Sequence, residues 1–499
     1  MPLMNPSLET QTPVVALASP PGVSALAVIR LSGKGSHELA FDLLRIKSCA
    51  SLEDLTKRYT KLLRCEVLST PQQLTPKTSL QTSSQDRSQV VEVIDDGMCV
   101  FFKSPCSYTA EDSLEVYVHG GPYVVSRCLE VFTAHGFRAA LPGEFTYRAF
   151  VHGKIDLTAA EGIQALTGAY CEHEWQAASY LVSGKLAEHI KALRTQMVKA
   201  RAWLEASMDF PEEDDTSHIG IKELSQSVAH IKQSLINLSS TFRSGQVASE
   251  GFKVVLCGRA NAGKSTLLNV LSQSDRSIVT DIEGTTRDYL DCVVMISGRK
   301  FRFFDTAGLR MPDQNIGLVE RRGIEKTLEL IQTADVVCLL VPAQDASPIS
   351  IEPFFEAYGV SLTKNKAKQI RIISQSDKTS SLPHWHKKDD IALACPPSTP
   401  RGEKRVGESV LKKKLLALMD KTMHDITDTI YITKPRHLAA CQLAIRALDM
   451  LEAKITERAY EEILAEDLKS AFMHLGSIIG EVSSDDILDV IFKDFCLGK

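Results

Sequence analysis

Residues Gly258-Arg259-Ala260-Asn261-Ala262-Gly263-Lys264-Ser265 have the spacing of a phosphate cradle: two glycines set apart by four residues, then Lys and Ser. Glycines let backbone N–H groups wrap around phosphate oxygens, and a helix that opens directly behind them adds the positive end of its dipole. In such a loop Lys264 reaches the β- and γ-phosphates and the Ser265 hydroxyl ligates Mg²⁺. The flanks agree. Lys253 to Cys257 is an apolar run of buried-strand type, and Leu267 through Leu271 continue as a helix. Asn261, Ala262, Gly263, Lys264, Ser265 and Thr266 are therefore the expected phosphate-binding residues.

Three further elements follow in the order a nucleoside triphosphatase needs. Phe301 to Phe304 reads as a strand and is followed by Asp305-Thr306-Ala307-Gly308. Asp305 would hold Mg²⁺ directly or through water, and the Gly308 N–H would face the γ-phosphate. Between cradle and strand lies Gly284-Thr285-Thr286-Arg287-Asp288, where a Thr hydroxyl, best placed at Thr286, completes the Mg²⁺ shell and senses the γ-phosphate as a switch. Gln369 to Ile373 then leads into Ser374-Gln375-Ser376-Asp377, where a guanine site normally carries Asn-Lys-x-Asp. The Asp377 carboxylate can accept from guanine N1–H and N2–H₂, or it is an ordinary surface acid. The exchanged Asn and Lys take away the usual support of loop and ring face. GTP is expected over ATP, with weakened base affinity. Beside Gly308, where Ras-type proteins place a water-orienting Gln, stands Leu309. Hydrolysis thus needs another carboxylate or amide and another positive charge. Glu320 is a candidate for the first, the alternative being a solvated helix-start Glu. The Asn261 amide is a candidate ligand for a monovalent cation, the alternative being a local turn hydrogen bond.

The chain that must position these groups has 499 residues, 44% hydrophobic and 24% charged, with a formal net charge of −5. That is enough for about three domains with buried cores. It excludes a disordered or fibrous class and leaves no global basic field for nucleic acid. The 12 cysteines are scattered without a Cys-x-x-Cys pair, as in the reduced thiols of a cytoplasmic protein. Met1 to Pro13 lacks the pattern of a secretory leader, and no apolar run reaches membrane-spanning length.

An α+β domain is expected over 1–152, from the runs Val14–Ala18, Ala25–Leu31 and Leu114–Val118; the polar stretch Ser69 to Gln89 reads as an inserted loop. Leu186, Ile190, Leu193, Met197, Ala200 and Leu204 form a helical seam, repeated by Leu224, Val228, Ile231, Leu235, Leu238 and Phe242, so 153–250 is helical. The acidic run Glu212 to Asp215 reads as a solvated loop between the two. An α/β domain of P-loop type follows over 251–420. Helical periodicity returns over 421–499 in Leu438, Cys441, Ile445, Leu448, Leu451 and Ile455, which makes the α/β domain an insertion in a discontinuous helical one.

Beyond the nucleotide motifs, the chain resembles the MnmE (TrmE) family of tRNA-modification GTPases over its length. The resemblance is carried by Ala18-Ser19-Pro20-Pro21-Gly22, Ile29 to Gly33, Ser107 to Asp112, His119-Gly120-Gly121, Pro142 to Thr146, Gly153 to Leu157, Ser484 to Leu488, and Phe495-Cys496-Leu497-Gly498-Lys499. It implies a homodimer that acts with the FAD protein MnmG, as a heterotetramer, to build a carboxymethylaminomethyl or aminomethyl group at C5 of the wobble uridine of certain tRNAs. It implies K⁺ bound by Asn261 with backbone carbonyls at Thr280, Ile282 and Thr285, in place of an arginine finger where two G domains meet, and Glu320 orienting water. It also implies a site for 5-formyl- or methylene-tetrahydrofolate at Arg30, Glu115, Lys154 and Lys499, and a C-terminal cysteine at Cys496 that is either a reactive thiol or a packed one. Two other classes fit the sequence less well. A ribosome-assembly GTPase usually carries a KH-type RNA module, yet no Gly-x-x-Gly follows Gly407. A purely structural helical scaffold does not need the complete set of Lys264, Ser265, Thr286 and Asp305.

Overall fold

The computed structural model describes residues 12–46, 52, 61–71, 92–209, 214–259, 261–274, 291–306, 327–345, 367–379, 381–394, 406–423, 430–457, 460–482, 485–493, 495–496 and 498–499. Thr280, Ile282, Thr285, Thr286, Ala307, Gly308, Glu320 and nearly all of the Ser69–Gln89 insertion lie outside these. The chain forms two compact units: residues 1–164, 182–190 and 473–499, and residues 165–181 and 191–472.

The first unit is built on a seven-stranded sheet from β1 (Val14–Leu17), β2 (Ser24–Ser32), β3 (Leu44–Ile46), β4 (Leu63–Leu68), β5 (Val93–Phe102), β6 (Ser113–Gly120) and β7 (Arg138–Ala139). Their spatial order is β3-β4-β5-β6-β2-β1-β7. All neighbours run antiparallel except β1 and β7. Alternation sets the faces. Val15, Ile29, Leu31, Leu114 and Val116 point to one core, closed by Ala40 and Leu43 of helix α1 (Ser36–Leu43) and Cys128 and Phe132 of α2 (Pro122–Ala134). Helices α3 (Glu144–Val151) and α4 (Leu157–Thr167) share a separate core, in which Tyr147, Leu157 and Ala160 meet Phe492 and Phe495. Phe492, from a helix at Asp485–Lys493, stands edge-on to Tyr147 at 5.3 Å between ring centres.

The second unit holds helices α5 (Glu172–Val182), α6 (Lys185–Asp209), α7 (Asp214–Ser240) and α8 (Phe242–Glu250), apart from the end residues of α5 and α6 that belong to the first. The seam of α6 is buried from Leu186 to Leu204, and that of α7 from Leu224 to Leu238. Phe242 does not extend the seam: the helix breaks at Thr241, whose hydroxyl turns back to the Leu238 carbonyl, and Phe242 opens α8. Asp214 and Asp215 belong to the start of α7 rather than to a loop.

The unit's six-stranded sheet consists of β8 (Phe252–Gly258), β9 (Asp291–Ile296), β10 (Arg299–Asp305), β11 (Val336–Pro342), β12 (Lys368–Ser374) and β13 (Ile391–Ala392), in the order β13-β12-β11-β8-β10-β9. It is parallel except for the β9–β10 hairpin. Val254 and Leu256 face one core, Val255 and Cys257 the other, which explains the unbroken apolar run of β8. Helix α9 (Lys264–Ser274) follows β8, and α10 (Glu408–Thr422) covers the first core through Leu411, Leu415 and Met419.

Two helices complete the unit's helical part, α11 (Pro435–Thr456) and α12 (Glu461–Ile479), the latter running into the first unit, while α13 is the Asp485–Lys493 helix of that unit. Helices α7 and α11 lie side by side, pinned by Lys232 between Asp449 at 2.7 Å and Glu452 at 2.5 Å. The buried face of α11 is His437, Ala440, Cys441, Ala444, Ala447, Leu448 and Leu451. Leu438, Ile445 and Ile455 are only half-buried, so the stripe is rotated from the one large residues suggest. Alanines lie on the inner face because small side chains bring the helix close to its neighbour.

Candidate functional site

The cradle forms where β8 ends and α9 begins, at the carboxyl edge of the parallel strands, the edge at which open α/β sheets bind ligands. Gly263 has φ 90°, a left-handed conformation that a side chain would strain. Asn261 takes φ 63°, which Asn tolerates better than most residues, and is exposed. Ala262 is packed into the core beneath the loop.

Lys264 is buried, and its ammonium donates to the carbonyls of Gly258 at 3.2 Å and Arg259 at 3.1 Å. Burial lowers its pKa, an effect opposed by nearby Asp305 and Cys257. It is thus a cation held inside the loop, with its charge only partly balanced. The Ser265 hydroxyl donates to Asp305 Oδ2 at 2.8 Å, which joins the start of α9 to the end of β10. Asp305 Oδ1 is buried and has no hydrogen-bond partner among the described residues. A hydroxyl and a carboxylate with one oxygen left open make hard oxygen donors of the kind that suits Mg²⁺. Thr306 is buried with its hydroxyl donating to the Leu256 carbonyl at 2.8 Å, so this side chain ties β10 to β8. Thr266 is exposed on the first turn of α9.

The base loop sits beside the cradle. Asp377 is exposed in a single 3₁₀ turn, Ser376–Lys378. Ser374, in place of the usual Asn, is buried with its Cβ 3.8 Å from where a side chain on Gly263 would stand. Its hydroxyl has no partner among the described residues. Gln375, in place of the usual Lys, donates from Nε2 to the Asn261 carbonyl at 2.9 Å. The sequence did not point to this link. The signal was the position itself, since Gln is long enough to reach where Lys would.

In the other unit, three of the four residues expected at a folate site come together. Arg30 binds Glu115 Oε1 through Nε at 2.9 Å and Nη2 at 2.8 Å, and donates from Nη1 to the Gly498 carbonyl at 3.0 Å. The other Glu115 oxygen accepts from the Tyr117 hydroxyl at 2.7 Å. Burial, reinforced by Glu115, pushes Tyr117 up to about 12. The Arg30 guanidinium also lies 5.5 Å from the Tyr108 ring centre. Lys499 has its pKa lowered by burial and by Arg30, against a pull upward from Cys496. Lys154 is exposed and donates to the Ser107 carbonyl, next to Tyr108, whose ring faces Arg30. Gly498, with φ 82°, is pressed so close to Leu17 and Ala18 that a Cβ there would run into the Leu17 carbonyl. Cys496 is an exposed free thiol; most of the other described cysteines are buried free thiols, Cys106 being exposed and Cys171 half-buried. Among the described residues, no helix is long and apolar enough to cross a membrane.

Residues 13–154 match the GTP-binding protein TrmE N-terminus, and residues 157–496 match the MnmE helical domain. The tRNA modification GTPase MnmE of Natranaerobius thermophilus is 33% identical over 502 residues, covering 98% of this chain and all of that protein. The protein of the same description from Aquifex aeolicus is 33% identical over 500 residues, covering 98% of this chain and 99% of that one. With the phosphate cradle, the Ser265–Asp305 pair and a match from end to end, the chain belongs to the MnmE (TrmE) family of tRNA modification GTPases.

Proposed function

We propose that the chain is a K⁺-activated GTP hydrolase which, with an MnmG-type FAD partner, modifies C5 of the wobble uridine in certain tRNAs. The observation that carries this reading is the Lys264, Ser265 and Asp305 constellation in a chain matched along its whole length by tRNA modification GTPases. Lys264 binds the β- and γ-phosphates and meets the charge that develops between them. Ser265, Thr286 and Asp305 are the residues that would hold Mg²⁺, which when bound neutralises the phosphate oxygens. Asn261, with carbonyls at Thr280, Ile282 and Thr285, would hold K⁺, whose charge would meet that of the phosphates, and Glu320 orients the attacking water. Backbone N–H groups of Ala307 and Gly308 complete the phosphate contacts, and Asp377 reads the guanine edge.

The division of labour follows the domains we assign: 1–152 for dimerisation and tetrahydrofolate, 153–250 with 421–499 for the helical arm, and 251–420 for GTP. Arg30, Glu115 and Lys499 form the folate group, with Lys154 at its margin, and the protein works in the cytoplasm as a homodimer. Nucleoside analysis of tRNA from cells lacking the chain tests the pathway: loss of the C5 substituent at the wobble uridine is expected, and unaltered wobble uridines reject it. For the cation, hydrolysis in KCl should exceed that in NaCl by ~10-fold or more, since K⁺ stands for the charge of an arginine finger. Equal steady-state rates in the two salts remove Asn261 from its role.

A further inference from the structure

The base loop of this chain has exchanged two of its three specifying residues, yet it remains bonded to the phosphate loop. Gln375 donates from Nε2 to the backbone carbonyl of Asn261 at 2.9 Å, and its Oε1 accepts from Lys378 Nζ at 3.0 Å. The orientation of the amide is decided by these partners. Turned over, it would set oxygen against a carbonyl and N–H against an ammonium, so the lysine holds the donor where the carbonyl is. Both linked residues take left-handed backbone, Gln375 at φ 56° and Asn261 at φ 63°. Such conformations persist where neighbouring contacts fix them. Ser374 stands next to Gly263 with a side chain too short to bridge the two loops.

We propose that Gln375 is the positioning residue that couples guanine recognition to the phosphate cradle, with Lys378 orienting its amide. The hydrogen bond holds Asn261 in its left-handed turn, so contacts at the base stabilise the loop at the phosphates, and the reverse. The function of the tether is donation, not size. Glutamate has the same shape but faces the Asn261 carbonyl with a second acceptor, while lysine restores a donor of sufficient length.

The proposal accepts the nucleotide site assigned above and is tested apart from catalysis, by stopped-flow release of fluorescently labelled GDP from the full chain in sodium buffer. Gln375→Glu is expected to release the nucleotide about fivefold faster than the parent, the factor that one such hydrogen bond is worth. Gln375→Lys should release at nearly the parental rate, and Lys378→Ala should fall between. The side chain is only partly buried, so the variants should keep the parental melting temperature. The K⁺ concentration for half-maximal hydrolysis should rise in Gln375→Glu by a similar factor, because Asn261 is the residue displaced. Parental release rates in Gln375→Glu overturn the proposal. A parent protein that binds no guanine nucleotide overturns the site itself, and one that hydrolyses GTP equally in K⁺ and Na⁺ overturns only the cation assignment, since release still decides the role of Gln375.

Discussion

Exchange of Lys264 for Ala should lower kcat/KM for GTP by about a thousandfold, the loss seen when a preorganised group that meets transition-state charge is removed. Two features of the residue account for so large an effect. Its ammonium is buried within the loop, so it works where water screens little. It also binds the Gly258 and Arg259 carbonyls, which braces the curvature of the cradle. The variant loses a charge and a brace together, and labelled-GDP affinity should fall with turnover. Steady-state hydrolysis and equilibrium binding measure the two. Retention of activity to within tenfold would mean that the phosphates are held elsewhere.

The largest effect on stability is expected at Arg148→Met. Arg148 is fully buried and paired with Glu144 at 2.8 Å and Glu111 at 3.2 Å, and it also donates to the Thr12 carbonyl at 2.9 Å. Glu144 keeps Arg138 and the Leu141 N–H, but among the described residues Glu111 would be left with the Ser32 hydroxyl as its side-chain partner. Breaking a buried ion pair on one side costs about 3–5 kcal/mol. For a unit of roughly 200 residues this lowers the melting temperature by about 10 °C. Arg148→Lys should recover little, since an ammonium cannot serve two carboxylates and a carbonyl with the guanidinium fork. A melting curve that does not move in Arg148→Met would show the cluster to be energetically idle.

Much of this was legible in the sequence because local rules and tertiary packing agree there. The apolar run of β8, the glycines of the cradle and Asp305 at a strand end each follow from short-range chemistry, and the seams of α6 and α7 from helical periodicity. What was not legible depended on distant partners. The inner face of α11 is rotated because Ala440, Ala444 and Ala447 allow close approach, whereas periodicity weighs large residues most. The Gln375–Asn261 bond joins positions 114 apart, and a motif read for its missing Asn and Lys does not show what replaces them. Lys154 carries a charge of the right sign for a carboxylate ligand, but only the fold shows it turned to Ser107. Thr306 lies within a phosphate-binding turn by spacing, while its hydroxyl is committed to Leu256.

The core that joins Tyr147 and Leu157 to Phe492 and Phe495 also sets an order of events during synthesis. Residues up to 164 leave the ribosome long before 473–499, and at about 5–20 residues per second the interval is roughly 15–60 s. For that time the inner face of α3 and α4 has no cover of its own, and Arg30 lacks the Gly498 carbonyl it will bind. The newly made amino-terminal segment is therefore a natural client for chaperones, and a nascent chain arrested before residue 485 should be far more sensitive to protease than the released protein.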